Sequence, residues 1–126
     1  MSDPQATLII RFTFYNNRLN VTKNVLYALG KPSWIQVLIS KDRKTMFIKG
    51  CETKLRDCFF VPPRVYNDPE FKYRLRKAAF SEAVCKAQGW NETDKYRMFG
   101  FIVTDGVIGF RFEEAVRLND CEEEGV

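Results

Sequence analysis

The sequence predicts an α+β fold, in which a half rich in β-hairpins precedes one long helix and a second β-hairpin. Three observations carry this reading. Apolar, alternating stretches flank Asn16-Asn17 and again Asp105-Gly106, residue pairs that suit tight hairpin turns. Between them, Asp68-Pro69-Glu70 has the form of a helix start, with a cap, a proline at the first helical position and an acid in the first turn, and Gly89 is its stop. With 126 residues, 45% of them hydrophobic and 14% aromatic, the chain has ample material for the core of one compact domain.

Taken in order, Leu8 to Tyr15 reads as a strand, and it pairs most easily with Arg18 to Val21 across the Asn16-Asn17 turn. Thr22 is placed to cap a short helix in which Val25, Leu26 and Leu29 share one side, and Gly30 with Pro32 ends it. Ile35 to Ser40 and Thr45 to Lys49 form a hairpin around the charged tip Lys41-Asp42-Arg43-Lys44. From Gly50 to Asn67 the pattern breaks, with an apolar patch at Phe59-Phe60-Val61 and a breaker at Pro62-Pro63. The long helix is expected over 68–88, with Phe71, Leu75, Ala78, Ala79 and Ala83 as its buried stripe and Lys72, Arg76 and Lys86 as a basic ridge. Tyr96 to Thr104 and Val107 to Phe112 make the second hairpin, and Glu113 to Leu118 closes with a short helical turn. The resulting division is 1–50 as a β-hairpin unit, 51–67 as a connector, 68–118 as a helix plus hairpin packed on it, and 119–126 as an acidic tail.

The chemistry that the composition excludes is as informative. The chain has no histidine, so no Ser-His-Asp or Cys-His catalytic arrangement exists within it. Cys51, Cys58, Cys85 and Cys121 have six, 26 and 35 residues between them, which gives no zinc spacing. They read as free thiols, and neither a metal nor a cofactor is expected. Glu113-Glu114, the only adjacent acids in the folded part, sit where a helix dipole favours them. No apolar run is long enough to span a membrane, and Met1 to Ala6 lacks the pattern of a secretory signal, so the expected location is the cytoplasm.

Charge is unevenly placed along the chain. Residues 1–56 hold ten basic and three acidic side chains, 57–104 hold eight and six, and 105–126 hold two and seven. A basic front with interleaved aromatics suits a polyanion, while Asp120 and Glu122-Glu123-Glu124 keep the terminus soluble.

The run from Asn17 to Gly30, NRLNVTKNVLYALG, followed by Lys31-Pro32 and a strand at Ile35 to Ile39, resembles the AbrB-like (SpoVT-AbrB) swapped-hairpin family over about residues 8–50. The resemblance implies an AbrB-like β-hairpin barrel, usually a homodimer, that lays a basic face on DNA. It places Arg18 at the family's turn arginine, Arg11 where some members carry a second DNA-facing arginine, and Lys23 at the lysine that ends the family's Gly-Arg-hydrophobic-x-Ile-Pro-Lys pattern. Asn17 stands in place of the family's glycine, Thr22 in place of its proline, and Leu26-Tyr27 where some members carry a basic pair.

The function expected on these grounds is that of a non-enzymatic DNA-binding transcriptional regulator. Arg11, Arg18, Lys23 and the loop cations Lys41, Arg43 and Lys44 contact phosphates, arginine forks read bases, and Lys72, Arg76 and Lys86 form a secondary ridge. The partner is DNA, with the chain itself as a homodimer or as a monomer in which two hairpin-plus-helix units mimic one. The alternative is a protein-interaction module, such as a phage or mobile-element inhibitor or adaptor, docking through Phe59-Phe60-Val61, Trp34, Trp90 or Tyr27. An enzyme needs carboxylates brought together from afar, such as Asp57, Asp68 and Glu82.

Overall fold

Two short strands, β1 (Ile9–Thr13) and β2 (Arg18–Val21), pair antiparallel with Thr13 opposite Arg18. The structure, a computed structural model, describes residues 8–13, 18–54, 56, 58–76, 78–90 and 94–118, the side chains of 12, 13 and 78 excepted. The Asn16-Asn17 turn therefore lies outside the described residues. Helix α1 (Lys23–Ala28) follows, burying Val25 and Leu26. Thr22 holds the extended backbone of a cap, but its hydroxyl donates to the Ile9 carbonyl at 2.9 Å and accepts no amide of the helix.

Strands β3 (Trp34–Ile39) and β4 (Thr45–Cys51) form the next hairpin. Its tip is organised by Ser40 and Asp42: the Ser40 hydroxyl donates to Asp42 at 2.6 Å, and the Lys44 amide donates to the same carboxylate at 3.0 Å. Those bonds hold the Asp42 carboxyl below its ordinary range, the Ser40 hydroxyl contributing most. Strand β5 (Cys58–Phe60) adds to β3, and a single turn, α2 (Arg64–Asn67), starts straight after Pro63. Strands β6 (Tyr73–Arg76), β7 (Lys95–Thr104), β8 (Val107–Arg111) and β9 (Val116–Leu118), with helix α3 (Ala78–Gln88) after β6, complete the chain. Gly106, at φ +79°, supplies the left-handed backbone of the β7–β8 turn.

The strands make one antiparallel sheet in the order β5-β3-β4-β8-β7-β1-β2-β6, with β9 also on β7. Sheet twist coils this ribbon until its two ends meet, so that the Tyr73 hydroxyl of β6 donates to the Phe60 carbonyl of β5 at 2.8 Å. The result is a nearly closed barrel. Its interior holds Ile10, Leu26, Ile35, Met46, Ile48, Met98, Ile108 and Phe110, all at most 1% exposed. Each such side chain contributes on the order of 1.5–3 kcal/mol through burial.

Two fold expectations are overturned. The long helix over 68–88 is not there: α2 ends at Asn67, and β6 and the eleven-residue α3 occupy that stretch instead. Asp68 does accept the Glu70 amide at 2.9 Å, as a turn-forming aspartate does, but the turn leads into a strand. Tyr73 and Leu75 are buried and Arg74 and Arg76 exposed, a period of two that satisfies β2's open edge residue by residue. The N-terminal half is likewise no self-contained AbrB-like hairpin barrel. Its first hairpin pairs with β7 and β6, and its second with β8 and β5, so the two lie apart in the sheet and are joined only through C-terminal strands. At the end of the chain the expected helical turn is a 3-10 turn at Phe112–Glu114, after which residues 116–118 return to the sheet.

Candidate nucleic-acid interface

Alternation decides which side chains leave the barrel. Ile10 of β1, Leu19 and Val21 of β2, Tyr73 and Leu75 of β6, and Tyr96 and Met98 of β7 are buried. Their neighbours Arg11, Arg18, Asn20, Arg74, Arg76, Lys95 and Arg97 consequently stand on the outer side.

Register then sets them side by side. In one row across the sheet Val116 is opposite Arg97, Arg97 opposite Arg11, Arg11 opposite Asn20, and Asn20 opposite Arg74. In the next row Leu118 is opposite Lys95, Lys95 opposite Thr13, Thr13 opposite Arg18, and Arg18 opposite Arg76. Six of these ten positions are cationic, and none is a carboxylate. With strands ~4.8 Å apart and ~6.7 Å between alternate residues, the six Cα positions span roughly 14 Å by 7 Å.

Two arginine pairs, Arg97 with Arg11 and Arg18 with Arg76, are directly opposed. Like charges so placed destabilise a sheet by ~0.2–1 kcal/mol per pair, a cost that an anion lying on the face removes. Arg97 leans over the Phe99 ring at 5.4 Å. Its Nε and the Asn20 Oδ1 are enclosed and have no hydrogen-bond partner among the described residues.

The residues singled out from the sequence divide accordingly. Arg11 and Arg18 are central to this face. Lys23 is not on it: its ammonium donates to the Asp68 carbonyl at 2.6 Å, tying α1 to the turn before β6. Lys41, Arg43 and Lys44 are exposed at the β3–β4 tip, where the Gln88 side chain of α3 donates to the Arg43 carbonyl at 2.7 Å. The ridge of Lys72, Arg76 and Lys86 is dissolved with the long helix, since Arg76 belongs to β6, Lys72 precedes that strand and Lys86 is on α3. Arg74, Lys95 and Arg97 were missed by sequence reasoning. Their signal is the alternation of cation and apolar residue in Tyr73-Arg74-Leu75-Arg76 and Lys95-Tyr96-Arg97-Met98.

Along β3, β4, β8 and the far end of β7 the outer side has a different character. Leu38 is opposite Phe47, Phe47 opposite Gly109, and Gly109 opposite Phe101, an apolar row with Val103 46% exposed beside it. Arg111 covers the Phe101 ring at 4.1 Å. Of the aromatic candidates, Trp90 stacks on Tyr96 at 4.0 Å and belongs to the core margin, Phe59 is half-buried and Val61 is buried. Tyr27 is exposed next to Tyr66, whose hydroxyl donates to the Pro32 carbonyl at 2.7 Å. Phe60 is 52% exposed, with its ring edge-on to Trp34 at 5.2 Å.

Among the described residues, the acids considered do not come together: Asp68 and Glu82 stand apart. Asp68 is held by Arg64 at 3.2 Å, Glu82 is exposed on α3, and Asp57 lies outside the described residues. Cys51, Cys58 and Cys85 are free thiols; the first two sulfur atoms are 3.9 Å apart, and burial, then Cys58, push the Cys51 thiol up. Among the described residues no helix is long and apolar enough to cross a membrane, and no three potential metal ligands converge. Comparison of the chain with protein-family models, with curated proteins and with solved structures finds no match.

Proposed function

We propose that this chain is a non-enzymatic DNA-binding protein that acts in the cytoplasm as a regulator by occupying DNA through the outer face of β7, β1, β2 and β6. The observation that supports this reading is the pair of adjacent rows bearing Arg11, Arg18, Arg74, Arg76, Lys95 and Arg97 with no acid among them. Such a face fits the regular negative charge of a phosphate backbone, and arginine forks bind phosphate bidentately. Binding through six cations carries a slope of log K against log salt of about −5 on a duplex, each phosphate contact giving ~−0.9. The test is fluorescence anisotropy of a labelled duplex between 50 and 200 mM salt, with the wild-type chain and with Arg11→Ala/Arg97→Ala. The double variant should bind less tightly and show a slope shallower by about 2. Absence of binding at 20 mM salt, or a slope indifferent to the two arginines, rules the reading out.

A second reading, docking on a protein surface, a second copy of the chain included, is favoured by the apolar row Leu38, Phe47 and Phe101, flanked by the exposed Val103. Light scattering distinguishes self-association through that row from a monomer. Leu38→Lys then abolishes a dimer without touching the basic face.

A further inference from the structure

Among the described residues the barrel does not close by strand pairing. Between β5 and β6, where the sheet's two ends meet, runs a groove of about 380 Å³, within the size range of ligand-binding clefts. Its walls combine two kinds of side chain. Phe59, Phe60 and Phe71 supply aromatic surface, while Lys72, Arg74 and Arg76 supply charge. Arg74 and Arg76 also end the two rows of the basic face, so the groove is a direct continuation of that face.

We infer that this groove takes an unstacked nucleobase, and that the natural ligand class of the protein is therefore single-stranded nucleic acid; the inference rests on the proposed role of the basic face. The backbone of the strand lies on the arginine rows, and a base turns over the edge of β6 onto the Phe60 ring. Three observations support this occupant over others. Phe60 is 52% exposed although it is a large apolar side chain in a strand, and Trp34 meets it edge-on, which fixes the ring while leaving its surface accessible. The Phe71 ring already carries the Arg64 guanidinium at 5.0 Å, so the stacking surface on offer is that of Phe60. A duplex cannot present a base edge-over in this way, because its bases are stacked and paired inside, whereas single-strand binders combine a cationic track with an aromatic platform. An added peptide strand is a poorer fit. The edges at the seam are only three and four residues long, and the Tyr73 hydroxyl already bridges them at the Phe60 carbonyl.

The test compares a fluorescein-labelled dT oligonucleotide, the matching rU oligonucleotide and the dT·dA duplex of the same length, by anisotropy at one salt concentration. The inference expects the single strands to bind at least tenfold more tightly than the duplex. Phe60→Leu, which keeps apolar bulk but removes the ring, should weaken dT about tenfold and leave the duplex affinity unchanged, while Phe60→Tyr should retain dT binding. A difference between dT and rU assigns DNA or RNA as the source. Equal affinity for duplex and single strand, or dT binding insensitive to Phe60→Leu, overturns the groove assignment while leaving the basic face intact. Failure of all three probes at 20 mM salt overturns both. Competition by polyglutamate as effective as that by dT overturns the nucleobase site as well, since a peptide has no ring to stack.

Discussion

Replacing Arg11 by threonine should make the protein more stable and its nucleic-acid binding weaker, two effects of opposite sign from one side chain. Arg11 lies between Arg97 and Asn20, directly opposed to the former. Directly opposite Cα atoms are ~5 Å apart, and two unit charges at that separation in water repel by ~0.8 kcal/mol. Splaying of the guanidinium tips reduces this, which leaves a gain of about 0.5 kcal/mol on removing one charge, within the measured range for like cross-strand pairs. Threonine is itself a good strand residue, so the backbone is not penalised. In a domain of this size the gain amounts to a rise of about 2 °C in Tm at 20 mM salt. It should fade in 1 M salt, where the screening length is only ~3 Å. Over the same change, phosphate binding loses one contact and its salt slope becomes shallower by about 0.7–0.9. Thermal melts at the two salt concentrations, run beside anisotropy titrations, measure both. A variant less stable than wild type by more than about 0.5 kcal/mol at 20 mM salt refutes the reasoning, because Arg11 would then be holding the fold together instead of straining it.

Alkaline pH should expose a second strain. Burial, then the neighbouring Tyr27, raises the Tyr66 hydroxyl from about 10 to about 12, so the folded state holds that proton more tightly than the unfolded state does. The associated stability is fully present below about pH 10 and is lost as pH rises through about 12, and Tyr66→Phe should flatten a denaturation midpoint followed over that window. Gly100→Ala should cost about 2 kcal/mol in urea unfolding, because a Cβ there would lie 2.8 Å from both Ile108 Cγ2 and Phe110 Cε2, and neither buried side chain has room to yield. A cost below about 0.5 kcal/mol would show that the packing around Phe110 relaxes freely.

How much of this was legible in the sequence depends on whether the deciding contact is local. The β7–β8 hairpin was, because Asp105-Gly106 supplies the turn and the flanking residues alternate or run apolar on either side. The β3–β4 hairpin around residues 41–44 was too. At Tyr73 to Arg76 two periods overlap: Phe71, Leu75, Ala78 and Ala79 have helical spacing, while Tyr73 and Leu75 alternate with arginines. Four residues are too few for the pattern to arbitrate, and the outcome is set by β2's unpaired edge, more than fifty residues earlier in the chain. The basic face shows the same limit. That Arg74 and Arg76 share a side is local information, but that Arg11 stands next to Arg97 depends on the pairing of β1 with β7. The placement of Lys23 was hidden for a related reason, since the carbonyl to which it donates belongs to Asp68.

The ten-residue strand β7 has a consequence for how the molecule comes into being. It is the common neighbour of β1, β8 and β9, so the N-terminal strand has no second partner until residues 95–99 have been made. Ile10 must find Met98, 88 positions along the chain, and closing so long a loop places the fold among the slow, high-contact-order topologies. At ribosomal speeds of ~5–20 residues per second, β1 waits roughly 4–17 s with one backbone edge unpaired, long enough for aggregation or a chaperone to compete. A synonymous slowdown of translation ahead of β7 lengthens that exposure without altering a single residue, and soluble yield should fall with it.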